Sequence, residues 1–143
     1  MQVQLTPDQL RAIEVHGEAS YPYEGGGFLL GSLEGDAFVV TTVMPIENEW
    51  DDPTRQDRFA IQEQTSMKAQ MSAIQQGLDV IGVFHSHPDH PPVPSQWDLE
   101  WATWPNFSFL ITRVDGGKAA QTRAWRLADD RKSYEEDSIY TDV

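Results

Sequence analysis

Two histidines two residues apart, His85 and His87, are the part of this sequence best suited to chemistry. They sit in Val83-Phe84-His85-Ser86-His87-Pro88, a short apolar run that ends in a proline. On a β-strand, residues i and i+2 project from the same face. Two imidazoles would then stand side by side near the end of a buried strand, at a sheet edge that solvent reaches. A zinc ion takes neutral imidazole nitrogen and carboxylate oxygen, and a catalytic zinc keeps one position open for water. Asp98 follows the loop after His87 and is the expected third ligand. Water held there would be acidified towards neutral pH. Glu24, just before Gly25-Gly26-Gly27, is the expected general acid/base. Ser95 is expected to donate a hydrogen bond to a developing oxyanion.

Each residue alone has a plainer reading. A His-x-His pair is common on strands that bind no metal. Ser95-x-x-Asp98 matches a helix-capping pattern, which is compatible with Asp98 also being a ligand. Glu24 alone would be a surface acid, and the glycines a turn. His90 reads as a loop residue and His16 as one on a helix surface.

The elements that must position these groups follow from pattern. Thr6-Pro7-Asp8 starts a helix with Thr6 as cap, and the helix is expected to run to about Ser20. Gly26 to Leu33 and Ala37 to Met44 read as strands around Glu34-Gly35-Asp36. Glu47 to Arg55 reads as a polar surface loop, and Arg58 to Ile61 as a short strand. Met67, Met71 and Ile74 lie at helical spacing within Glu63 to Gln76, with Gly77 as the stop. Val80 to His85 is a buried strand. Pro88 to Pro94 holds four prolines and must be a loop. Gln96 to Trp104 reads as a short helix. Phe107 to Val114 and Lys118 to Leu127 read as a hairpin around Asp115-Gly116-Gly117. The class is α/β or mixed α+β. Residues 1–128 are expected to form one catalytic domain, with 129–143 as a peripheral acidic tail whose Tyr134, Ile139 and Tyr140 could dock on the body.

The whole chain narrows the choice. Its 143 residues suit a single domain. Cysteine is absent, so disulfides and thiolate metal cages are excluded. No signal peptide and no run of about 20 apolar residues is visible. A soluble, cytoplasmic protein with no membrane partner is expected. The formal net charge of −13 repels phosphate backbones, so nucleic acid is not an expected partner.

Taken together, these residues resemble the JAMM (MPN+) metalloprotease family. Its pattern is a Glu, then much later His-x-His, seven residues of which the first is Pro, Ser, two residues and Asp. Here the pattern falls on Glu24, His85-Ser86-His87-Pro88, Ser95 and Asp98, with residues 88–94 supplying the seven. Glu24 to Gly31 is similar to the family's Glu-x-x-Gly-x-Leu-x-Gly. At Gly26 many members carry Cys, a position that is not a ligand. The resemblance spans about Leu5 to Leu127.

The resemblance implies a single-domain curved mixed sheet flanked by helices, of the JAMM/MPN-like (cytidine-deaminase-like) architecture. It implies zinc on His85, His87 and Asp98, Glu24 as general acid/base and Ser95 as oxyanion helper. It further implies hydrolysis of a peptide or isopeptide bond, commonly just after the C-terminal Gly-Gly of ubiquitin or a ubiquitin-like protein. The chain is too short for the insertions with which eukaryotic members grip ubiquitin. It looks more like the small prokaryotic members, several of which process ubiquitin-like sulfur-carrier proteins. A Gly-Gly tail laid along a free sheet edge as an added strand, between the 47–55 and proline loops, is the expected binding mode. The alternative is a metal-free MPN-type protein-interaction module; a DNA-associated protein fits the charge poorly.

Overall fold

A computed structural model describes residues 1–48, 63–95, 107–130 and 132–142. The order of elements is β1 (Gln2–Gln4), α1 (Pro7–Ser20), β2 (Gly26–Glu34), β3 (Ala37–Ile46), α2 (Glu63–Gln75), β4 (Asp79–Pro88), β5 (Ser108–Asp115), β6 (Lys118–Leu127) and β7 (Tyr134–Tyr140). Among the described residues the fold is mixed α+β, mostly sheet with two helices. The expected strand at Arg58–Ile61, the helix at Gln96–Trp104 and most of the 47–55 loop lie outside the described residues.

The first helix starts where its sequence says it must. Thr6 accepts a hydrogen bond from the Gln9 backbone N–H at 3.1 Å, and Gln9 Oε1 accepts one from the Thr6 N–H at 2.8 Å. Two otherwise orphaned donors are thereby satisfied. Pro7 has no N–H to lose there.

The strands form one sheet in the order β1-β3-β2-β4-β5-β6-β7, and β1 pairs with β7 to close it into a barrel. Neighbours are antiparallel except β1–β3, β1–β7 and β4–β5. Val3, Leu5, Ile13, Leu29, Phe38, Phe84 and Leu110 make the main core. Each such side chain contributes about 1.5–3 kcal/mol on burial. A smaller cluster of Phe28, Leu30, Ala69 and Ala73 seats α2 on the sheet.

Two expectations change here, and α2 shows which of its sides packs. Met67, Met71 and Ile74 do form a helical stripe, but it faces outward, with Ile74 74% exposed. The seat of α2 is the smaller pair Ala69 and Ala73, whose size lets the helix come close to β2 and β4. The buried strand extends past His85 to Pro88, and it is not at an edge: β2 flanks it on one side and β5 on the other. The 129–143 segment is not peripheral, because its residues Tyr134–Tyr140 form β7. Its acids are neutralised across the sheet. Glu136 takes two hydrogen bonds from Arg123, at 2.6 and 2.8 Å, and buried Asp137 takes two from Arg126, each 3.3 Å. No helix among the described residues is long and apolar enough to cross a membrane.

Barrel closure also leaves no strand with a wholly unpaired edge among the described residues. β1 is short and covers only Ala37 to Val39 of β3. Beyond it, α1 takes up carbonyls along β3. Gln9 Nε2 donates to Val40 O (3.2 Å) and Thr41 O (2.9 Å), and His16 Nε2 bonds to Ile46 O at 3.0 Å. Pro45, which has no N–H, further blunts this stretch. His16 is therefore half-buried and tied to β3, with its ring edge-on to Phe84, rather than lying free on the helix surface.

Candidate metal centre

Alternation along β4 sorts its last residues onto two faces. Phe84 points into the main core, and Ser86 shares its face. Gly17 of α1 makes room for Ser86: a Cβ at Gly17 would stand 3.1 Å from the Ser86 Cβ. His85 and His87 project from the opposite face, where α2 packs. Both are buried, at 8% and 1% exposure. Their Nε2 atoms stand 3.2 Å apart.

Ser86 also brings in the third group. Its backbone N–H donates to Gly25 O at 2.8 Å, and its Oγ accepts from the Gly25 N–H at 2.8 Å. This double tie lengthens the β2–β4 ladder by one residue. Asn48 Nδ2 donates to the Glu24 carbonyl at 3.0 Å. The Glu24 backbone is thus held from both sides, and its side chain is 1% exposed. Ligand atoms of Glu24, His85 and His87 all lie within 4.8 Å of one another.

The tautomer of His87 follows from its partner. Nδ1 lies 2.8 Å from Pro91 O. A carbonyl only accepts, so Nδ1 carries the hydrogen. The Nε2 lone pair of the neutral ring then faces His85 and Glu24. His90 stacks on His87, with centroids 4.1 Å apart and planes at 14°.

The arrangement fits a divalent cation. Two nitrogens each about 2.05 Å from a tetrahedral zinc stand about 3.3 Å apart, close to the observed 3.2 Å. Neutral imidazoles and a carboxylate are the donors that zinc takes when thiolates are absent. An outer hydrogen bond on the far ring nitrogen, as Pro91 supplies, is the usual partner of a ligating histidine.

Among the residues expected to act, Glu24, His85 and His87 come together. Ser95 is half-buried at the end of the proline loop. Asp98 lies outside the described residues. Sequence reasoning did not single out Ser86, although alternation implies that the residue between two same-face histidines is free to serve the other face. It also missed the Pro91 carbonyl, for which side-chain types carry no signal.

Residues 6–128 match the family described as prokaryotic homologs of the JAB domain. The chain is 37% identical over 100 residues to a desampylase of Haloferax volcanii, covering 69% of this chain and 68% of that one. It is 30% identical over 98 residues to a probable TtuB-protein conjugate cleaving protease of Thermus thermophilus, covering 68% of this chain and 61% of that protein. The solved structure of a Salinibacter ruber protein is similar across 98% of this chain and 90% of that one, at 41% identity and a TM-score of 0.76. A match over residues 6–128, with the His pair and Glu24 gathered inside the matched region, means that the chain belongs to the prokaryotic JAB-domain family.

Proposed function

We propose that this chain is a zinc-dependent peptidase or isopeptidase that cuts the bond after the C-terminal Gly-Gly of a ubiquitin-like or sulfur-carrier protein. The observation that carries the reading is the buried meeting of Glu24, His85 and His87 within 4.8 Å. The names of the Haloferax and Thermus relatives, a desampylase and a probable TtuB-protein conjugate cleaving protease, support the substrate class.

His85, His87 and Asp98 would hold the zinc. When bound, zinc supplies Lewis acidity, polarising a carbonyl and acidifying water. The Glu24 carboxylate takes a proton from water and passes it to the leaving amine. Its burial keeps bulk water from competing for that proton. The Ser95 hydroxyl donates to the oxyanion as the carbonyl carbon becomes tetrahedral. A tail ending in two glycines suits a buried site, since it brings backbone close to the reacting groups without side chains.

Glu24 lies close enough to the histidines to be a ligand itself, so the decisive experiment separates the two roles. Zinc content is measured on wild type, His87→Ala and Glu24→Gln, beside cleavage of a Gly-Gly-linked conjugate. The expected result is about one zinc per wild-type chain, none in His87→Ala, and full zinc with a rate lowered about 10²–10⁴-fold in Glu24→Gln. Zinc lost from Glu24→Gln would make Glu24 a ligand and not the base. No zinc in the wild type after metal is supplied would leave the metal-free interaction module as the reading.

A further inference from the structure

The proline loop that holds His87 is itself held by a tryptophan on another strand. Pro88, Pro91, Pro92 and Pro94 have no backbone N–H, so this loop has few donors with which to tie itself down. It depends on donors from elsewhere that reach its carbonyls. At its start, the Asp89 N–H donates to Val114 O at 2.8 Å, and the Asp89 carboxylate accepts from the Gly116 N–H at 2.8 Å and from the Tyr21 hydroxyl. Asp89 sits there at φ 58°, a conformation that Asp tolerates better than most residues. Further along, the Trp125 indole N–H donates to Pro92 O at 2.9 Å.

Pro92 directly follows Pro91, whose carbonyl accepts the His87 Nδ1–H. Both proline rings fix φ, so a shift of the Pro92 carbonyl is passed to Pro91 with little slack. Trp125 lies on β6 opposite Phe109, on the face away from the core residue Ala124 and so on the histidine side of the sheet. The Arg123 guanidinium lies over its ring, 4.8 Å from the centroid, and Arg123 is in turn gripped by Glu136. The indole is thus oriented before it meets the loop.

We infer that Trp125 is a positioning residue for the metal centre: its indole N–H fixes the Pro91–Pro92 turn, and that turn fixes the tautomer and ring angle of His87. The inference rests on the reading of His87 as a metal ligand, and it deepens that reading. Outer partners of metal ligands typically alter affinity 10–100-fold. Trp125 acts one link further out, so the lower end applies.

The test substitutes Trp125→Phe, which keeps an aromatic ring and removes the N–H. Zinc affinity is measured by chelator competition, and site geometry by the visible spectrum of the cobalt(II) form. In zinc-free protein, the exchange rate of the His87 Nδ1–H is followed by NMR. The expected result is zinc affinity about 10-fold weaker, an altered cobalt spectrum, and faster His87 exchange. Asp137→Asn weakens the same sheet through Arg126 without touching the indole or the Arg123 that lies over it, and it should leave zinc affinity near the wild-type value. Equal losses in both variants would reduce Trp125 to a general support of the sheet and overturn the inference. So would wild-type affinity and unchanged His87 exchange in Trp125→Phe.

A measurement on the wild type needs no variant to fold. Coupling between sites is reciprocal, so zinc should slow exchange of the Trp125 indole N–H by a similar factor. No slowing overturns the inference. If the wild type binds neither zinc nor cobalt, the metalloenzyme reading fails on its own terms, while His87 exchange in the zinc-free protein still decides whether Trp125 governs that ring.

Discussion

Glu24 and Asp137 are both buried carboxylates on one small barrel, and they are buried for opposite ends. Asp137 on β7 is 6% exposed and takes two hydrogen bonds from Arg126, each 3.3 Å. Its charge is cancelled where it stands, and the pair joins the last strand to the barrel. Glu24 is 1% exposed and shares its surroundings with two imidazoles whose Nε2 atoms are 3.2 Å apart. There, oxygen and nitrogen atoms of metal-ligand type gather within 4.8 Å, an arrangement that suits a cation. Burial alone therefore does not mark a functional acid. The chemical type of its neighbours does.

The largest effect that would sharpen the contrast is on stability. Asp137→Ala leaves the Arg126 guanidinium without its buried partner. Breaking a buried pair costs about 3–5 kcal/mol, and the lower end applies because Arg126 keeps some contact with water and with Glu135. Urea unfolding of the zinc-free protein should show a loss of about 3 kcal/mol. A loss below about 1 kcal/mol would mean that the pair behaves as a surface salt bridge and that β7 is held by its ladder alone.

Next comes the backbone that carries Glu24. A Cβ at Gly27 would lie 2.2 Å from Met44 O and 2.7 Å from Phe84 Cζ. Gly27→Ala must therefore push β2 away from β3 or from Phe84. Overpacking of this kind costs about 1–3 kcal/mol. Since Gly26 pairs with His85, the same shift should weaken zinc binding as well. Asp137→Ala, far along the barrel, should leave zinc affinity alone. If both variants weaken zinc equally, the two regions are coupled and the contrast breaks.

Glu24→Gln is the counterpart of Asp137→Ala. It keeps size, shape and one acceptor oxygen. Zinc-free stability should change by about 1 kcal/mol or less, while activity falls steeply. A loss as large as that of Asp137→Ala would show that Glu24 is a structural acid.

Which of these regions the sequence reveals depends on how local the cause is. The α1 start at Thr6-Pro7 and the Gly116–Gly117 turn are set by neighbours in the chain, and the expected bounds lie within a residue or two of those observed. The histidine pair is legible because strand alternation acts over two residues. Glu24 is not legible that way. The hydrogen bonds that bring it to the site join Gly25 to Ser86, across 61 residues, and in the sequence only its place before three glycines and the family resemblance pointed to it. β7 reads as an acidic tail because the arginines that neutralise Glu136 and Asp137 are on β6, and charge counted along the chain takes no account of them. Barrel closure is invisible for the same reason, since β1 and β7 meet from opposite ends of the sequence. The seat of α2 misleads because size, not hydrophobicity, decides which side packs.

The smallest expected effect concerns a third carboxylate, the exposed one at the start of the proline loop. Hydrogen bonds from the Tyr21 hydroxyl and then from the Gly116 N–H favour the charged form of Asp89 and hold its pKa below the usual carboxylate value. A depressed folded pKa means that the unfolded chain binds the proton more readily. The stabilisation from Asp89 is then complete above its unfolded pKa of about 4 and fades as pH falls through the lower folded value. Wild type and Asp89→Asn should therefore differ most near neutral pH and converge in acid. Their thermal midpoints between about pH 3 and 7 measure this. A gap that stays constant over the range would mean that Asp89 serves through shape and its φ of 58°, not through charge. In the neutral range, where the charge is present, Asp89→Asn should also loosen the loop that carries Pro91. Midpoints of the zinc-free protein are the measurement that places Asp89 among the charged supports of the site or among its merely conformational ones.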